Sequence, residues 1–207
     1  MVMQADPRVP ILTIDTGRLP AATHRMIDAV EKRYGIRVER VLPEAAEVDA
    51  MTAAHGRDLF YDAVPKRMLC CNVRKIRPLA RRMATVSAYF TGLRREQGGD
   101  REGIAEVDRS GTPVKISPLA DWSAGDVERY TRERSLPVHE LYEQGYTSIG
   151  CDPCTRAVRS GESERSGRWW WEDDTAKECG LHFTPDGRAE RSVDVLLREV
   201  LTRTASA

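Results

Sequence analysis

The sequence predicts an α/β fold: an open, mostly parallel sheet with helices packed on both faces. Short β-rich runs at 9–14, 36–42 and 86–91 alternate with helical stretches. The stretch between the first two runs is an amphipathic helix with a capping signal at each end. Residues 9–42 therefore read as a strand–helix–strand unit, whose strands run parallel through a right-handed crossover. At 207 residues and 41% hydrophobic content, the chain can bury a core and is too apolar for general disorder.

Each element has a local cause. The first run ends at Asp15-Thr16-Gly17, whose turn residues break a strand. Pro20 suits a first helical turn, Ala22, Met26, Val30 and Tyr34 recur every four residues, and Gly35 follows as a C-terminal cap. A second helix is expected over 44–54, before Gly56. A further helical stretch over 70–82 should bend or break at Pro78, which lacks an N–H and crowds the turn before it. The third strand runs into Gly92-Leu93-Arg94-Arg95-Glu96. Open α/β sheets bind ligands beyond the carboxyl ends of their strands, which here are 15–18 and 92–96.

Residues 97–103 read as a polar loop and 114–117 as another strand. Ser123 and Asp126 should cap a helix through Arg134, with Val127 and Tyr130 on its inner face. Residues 136–182 are dense in Gly, Pro, Trp and Cys without a period, so something other than a core is expected to hold them. Val193, Leu196, Leu197, Val200 and Leu201 form a helical stripe that should dock onto the domain or a second subunit.

Charge excludes several function classes. Lys+Arg 32 and Asp+Glu 32 cancel, so no overall positive field draws the chain to nucleic acid or anionic lipid. The apolar run at 9–14 is too short to span a membrane and lacks the flanks of a signal peptide. The expectation is a soluble, unexported, cytoplasmic protein. Five cysteines are an odd count, and a reducing cytosol disfavours disulfides, so their spacing is read first as metal binding or thiol chemistry.

Cys70 and Cys71 are adjacent, Cys151 and Cys154 form C-x-x-C, and Cys179 stands alone. Two thiolate pairs can hold a tetrahedral zinc or an iron–sulfur cluster. Adjacent cysteines converge poorly on one small ion, whereas a cubane accepts them on different irons. A redox-active C-x-x-C and two buried core thiols are the alternatives. Arg74 and Lys75, within a helical turn of the first pair, would offset an anionic cluster or bridge it to an anionic substrate, unless they are solvated surface.

Arg156, Arg159, Arg165 and Arg168 follow the second pair against Glu162 and Glu164, and guanidinium groups suit phosphate or sulfate oxygens. Cys179 has Lys177 and His182 nearby, cations that favour a nucleophilic thiolate; a buried thiol is the alternative. Trp169, Trp170 and Trp171 cannot all face one core, so some should cover a site or dock a partner protein.

Six motifs then resemble one family. They are Thr13-Ile14-Asp15-Thr16-Gly17-Arg18-Leu19-Pro20, Leu69-Cys70-Cys71-Asn72-Val73-Arg74-Lys75, Thr91-Gly92-Leu93-Arg94-Arg95-Glu96-Gln97, Tyr146-Thr147-Ser148-Ile149-Gly150-Cys151-Asp152-Pro153-Cys154-Thr155, Gly167-Arg168-Trp169-Trp170-Trp171-Glu172 and Glu178-Cys179-Gly180-Leu181-His182. In order and at compatible spacing over about 9–182, they resemble the assimilatory adenylyl-sulfate reductases, of the phosphoadenylyl-sulfate reductase family.

The resemblance implies an adenine nucleotide alpha hydrolase-like fold. It also implies reduction of adenosine 5′-phosphosulfate to sulfite and AMP in sulfate assimilation and cysteine biosynthesis, with thioredoxin as electron donor. By resemblance, Cys70, Cys71, Cys151 and Cys154 would ligate one 4Fe-4S cluster, serving as an electrostatic and structural element. Cys179 would attack the sulfate sulfur, expel AMP and leave a thiosulfonate. Lys75 would lie between cluster and substrate, and Arg74, Arg94, Arg165, Arg168 and His182 would contact the phosphosulfate. Relatives that use the 3′-phosphorylated substrate lack the cysteine pairs, which makes those pairs the discriminator.

The implied organisation is a reductase domain over 1–182, with a mobile catalytic segment over about 155–182, then an amphipathic helix and tail over 183–207. The family usually opens with a further strand–helix unit carrying a Ser-Gly-rich phosphate loop. Only eight residues precede Val9 here, so the expectation is that this N-terminal unit is missing and that nucleotide affinity suffers. A reductase-derived pseudoenzyme and a zinc-binding interaction protein are the competing readings.

Overall fold

The computed structural model describes residues 1–98, 101–172, 197, 200–202 and 204. They fall into two compact units: 1–42 with 137–170, and 43–136 with the residues from 171 onward. The architecture is mixed α/β with parallel strands, as predicted.

In the first unit, a short α1 (Val2–Ala5) precedes β1 (Ile11–Ile14), α2 (Ala21–Tyr34) and β2 (Val38–Val41). β1 and β2 pair in parallel, Ile11 opposite Val38 and Ile14 opposite Val41, which is the expected strand–helix–strand unit. Gly35 ends α2 in the left-handed conformation (φ 64°), its N–H donating to the Glu31 carbonyl. The Glu31 carboxylate then accepts from the Val38 N–H at 2.8 Å, tying the end of the helix to the start of β2. The helix buries Ala22 and Ile27, whereas Tyr34, expected on the inner stripe, is 40% exposed. The four-residue period drifts around a 3.6-residue helix, so the buried face is set by the Ala22 end.

The later part of the same unit is irregular but well bonded. A 3-10 turn over Glu140–Gln144 is opened by His139, whose Nδ1 accepts from the Leu141 N–H at 3.3 Å. That leaves Nε2–H to donate to the Thr23 hydroxyl at 3.0 Å. Burial holds the His139 pKa below the usual imidazole value. Arg25 and Glu140 form an ion pair between α2 and this turn.

In the second unit, α3 (Ala45–His55) is followed by α4 (Val64–Cys71), a π-helical segment (Asn72–Ile76) and α5 (Arg77–Met83), joined end to end. The irregularity predicted at Pro78 falls before it. Pro78 lies in the first turn of α5, and the widened π turn comes just before the residue whose ring would crowd the carbonyl four back. Glu47 of α3 accepts from Arg77 at 2.6 and 3.0 Å and from Arg81 at 3.4 Å. Burial raises its pKa, but the two guanidinium groups outweigh that and hold it below the ordinary carboxylate value. Met51, Leu59, Phe60, Leu69, Val73 and Met83 form the core here.

β3 (Ala88–Phe90), β4 (Val107–Asp108) and β5 (Val114–Ile116) form a sheet of order β3-β5-β4, with β5 parallel to β3 and antiparallel to β4. β4 is too short to leave a pattern in the sequence. α6 (Ala124–Glu133) starts at the predicted cap: Ser123 Oγ accepts from the Asp126 N–H at 3.0 Å and Asp126 accepts from the Ser123 N–H at 2.9 Å. Of the C-terminal stripe, Leu197, Val200 and Leu201 are helical and Val200 is fully buried, while Val193 and Leu196 lie outside the described residues.

Candidate functional site

In the first unit the chain leaves β1 into a tight turn. Asp15 accepts from the Gly17 N–H at 3.0 Å and Thr16 Oγ1 accepts from the Arg18 N–H at 3.3 Å. The C-x-x-C turn docks on this segment. Cys151 Sγ lies 3.2 Å from Thr16 Oγ1, and the Asp152 N–H donates to the Arg18 carbonyl at 2.8 Å. This contact, together with the Asp152–Arg18 bond, fixes the cysteine-bearing turn against the segment that leaves β1.

A 3-10 turn over Asp152–Cys154, with Pro153 in its first turn, brings the two cysteines to one end of the segment. The Thr155 hydroxyl donates to the Cys151 carbonyl at 2.8 Å and locks the turn. Cys154 is buried and Cys151 half-buried.

The strand-like stretch after the turn runs back along 167–169. Thr155 bridges Arg168, the Arg156 N–H donates to the Gly167 carbonyl at 2.9 Å, and the Trp169 N–H donates to the Cys154 carbonyl at 3.1 Å. These bonds, with those to 16–18, hold much of a stretch whose order the sequence left to something other than a core. Trp169 is 3% exposed and takes a positive φ of 42°, a conformation bulky residues adopt only when their surroundings impose it. The Arg168 guanidinium carbon lies 4.9 Å from the Trp169 ring centre. Arg156 is occupied by Glu162, at 2.7 and 2.9 Å, which subtracts from the positive charge expected here. Arg165 is half-buried.

In the second unit, Cys70 and Cys71 end α4, and the π segment presents Arg74 and Lys75 one turn later. Cys70 and Arg74 are buried, Cys71 and Lys75 half-buried. π turns are frequent at functional sites, and this one shifts the following residues around the axis relative to a regular helix. Arg94, beyond β3, donates to Glu96 at 2.7 Å and to the Trp122 carbonyl at 3.3 Å.

Arg67, one turn before Cys70 and Cys71, makes a bidentate ion pair with Glu172 at 2.8 and 3.0 Å, both side chains almost fully buried. Trp171 packs on Phe60 and Tyr61 with ring centres 6.0 and 4.5 Å apart. The three tryptophans do face different ways: Trp169 is buried, Trp170 is 47% exposed and Trp171 joins this aromatic cluster.

Cys179 and His182 lie outside the described residues. Among the described residues no three His, Cys, Asp or Glu side chains are grouped so as to hold a metal ion. Among those residues the sulfur donors are the free cysteines Cys70, Cys71, Cys151 and Cys154, and soft sulfur pairs of this kind fit an iron–sulfur cluster by their chemistry. Sequence reasoning missed Thr16 as a partner of Cys151 and the Arg67–Glu172 pair. Only the Asp-Thr-Gly turn left a signal, as a ligand position beyond a strand.

A parallel strand–helix–strand unit that holds a cysteine-bearing turn beyond the carboxyl end of its first strand defines an α/β protein of the kind that binds ligands at strand ends. Residues 1–157 match the phosphoadenosine phosphosulfate reductase domain, and the chain belongs to that family. It is 45% identical to the adenosine 5′-phosphosulfate reductase of Agrobacterium fabrum, over 84% of this chain and 68% of that one. With the enzyme of the same name from Allochromatium vinosum the identity is 48%, over 84% and 69%. The crystal structure of phosphoadenylyl-sulfate reductase from Candida auris, a phosphate complex, shares the fold, with a TM-score of 0.58, 24% identity and 73% coverage of both chains.

Proposed function

We propose that the chain is an enzyme that reduces adenosine 5′-phosphosulfate to sulfite and AMP. The observation that carries this is its identity of 45 to 48% with reductases named for that substrate, over most of its length. Cys70, Cys71, Cys151 and Cys154 would hold a 4Fe-4S cluster, which when bound would supply a fixed local charge and a structural tie between its ligands.

The chain's own residues carry the reaction. Cys179, as thiolate, attacks the sulfate sulfur; the bond from that sulfur to the AMP phosphate oxygen breaks, and AMP leaves. Lys75 offsets negative charge at the transferring group, while Arg74, Arg94, Arg165, Arg168 and His182 bind the phosphosulfate oxygens. The dithiol of thioredoxin then attacks the thiosulfonate, releases sulfite and becomes a disulfide, supplying the two electrons that the sulfate sulfur gains.

A reducing cytoplasm would suit both a thiolate-held cluster and a nucleophilic Cys179. No helix of the described residues is long and apolar enough to cross a membrane. The test is anaerobic purification, with assay of iron, acid-labile sulfide and thioredoxin-dependent sulfite release from adenosine phosphosulfate. Iron with sulfide and sulfite release is expected; zinc without sulfide, or no sulfite, refutes the reading.

A further inference from the structure

We infer that Gly150 is a positioning residue, whose missing side chain forms the seat of the Arg168 guanidinium beside Cys151. The proposal rests on the functional reading above, in which Arg168 binds the anionic substrate, and adds how that cation is held.

The seat is built by omission. A Cβ placed at Gly150 would lie 2.5 Å from Arg168 Cζ and 2.8 Å from Nη1, and closer still to Nη2, inside the van der Waals shell of the whole guanidinium. No side chain other than hydrogen leaves room for the group there. Gly150 is not among the residues with positive φ, so what a side chain here would disturb is the close approach of the guanidinium and not the backbone.

The seated guanidinium is underused. Nη1 makes one long hydrogen bond, 3.4 Å, to the Ile149 carbonyl, and the buried Nε has no hydrogen-bond partner among the described residues. The Trp169 ring covers one side. No carboxylate in the described residues is paired with Arg168, in contrast to Arg156 and its Glu162. A part-buried cation with spare donors, next to the C-x-x-C, is prepared for an incoming anion such as the phosphosulfate.

Substitution at 150 therefore moves one functional group without striking the fold, because the clashing atoms are the far end of a flexible side chain. Gly150→Ala is tested beside Arg168→Ala and the double variant. Phenylglyoxal labelling of Arg168, mapped by peptide mass spectrometry, reads the seat directly and needs no activity. Faster labelling in Gly150→Ala than in the wild type is expected, with the thermal midpoint and visible absorbance retained.

The KM for adenosine phosphosulfate should rise about 10- to 100-fold, the worth of a charged hydrogen bond. The double variant should be no worse than Arg168→Ala alone. Unchanged labelling, or losses that multiply in the double variant, would overturn the seat. A wild-type chain that releases no sulfite refutes the functional reading instead, and the labelling comparison still decides the seat.

Discussion

Arg67 and Glu172 are 105 positions apart in sequence, yet their side chains are 1% and 4% exposed and joined by two charged hydrogen bonds. Breaking such a pair leaves an uncompensated buried charge, which typically costs about 3–5 kcal/mol. Glu172→Gln should lower the urea midpoint accordingly, whereas Arg67→Met with Glu172→Leu, which removes both charges, should cost far less. A Glu172→Gln protein as stable as the wild type would show that the pair is not desolvated in solution. At this scale the sequence is a mixed guide. Cys70, Cys71, Cys151 and Cys154 stand out as two local pairs in the sequence, which is enough to nominate them as ligands. Arg67, Glu172 and the Gly150 seat do not, because each is defined by a partner that only the folded chain brings near.

Elements whose cause is local were legible. The cap of α6 needs only Ser123 and Asp126 three residues apart, and Gly35 ends α2 by its own conformational freedom. The π segment was not, since it arises from the fit of a whole helix around Pro78 and shows no change of hydrophobic period. Ser123→Ala should cost about 1 kcal/mol, measured by chemical denaturation, as is usual for a lost N-cap. Hydrogen bonds from Ser123 and then Arg129 bring the Asp126 pKa from the usual 3.8 down to about 2. A pKa depressed by folding stabilises the native state above the unfolded value. The cap's contribution is therefore complete above about pH 4 and disappears as pH falls towards about 2. Carboxyl-carbon NMR should place the Asp126 midpoint near 2; a midpoint at the ordinary value would mean that the capping box is open in solution.

For the whole molecule, alternating strand and helix patterns sufficed for the α/β class, because hydrophobic period is a property of each segment alone. The division into two compact units was not legible: the first joins 1–42 to 137–170, and such long-range association leaves no mark on local composition. The motifs that resemble the family are spread over both units, and the reading of the cysteines as one ligand set rests on that resemblance. Serine in place of any one of Cys70, Cys71, Cys151 or Cys154 should lower bound iron severalfold in anaerobic preparations. Retention of full iron by all four variants would remove them as ligands.

The central claim, sulfuryl transfer to a cysteine of this chain, is tested most directly by one single-turnover measurement. Protein purified anaerobically is mixed with adenosine 5′-phosphosulfate without thioredoxin, and AMP and the modified peptide are quantified together. One AMP released per S-sulfonated Cys179 is expected, with the adduct discharged as sulfite when reduced thioredoxin is added. No AMP release, or an adduct that persists in Cys179→Ser, would contradict the account.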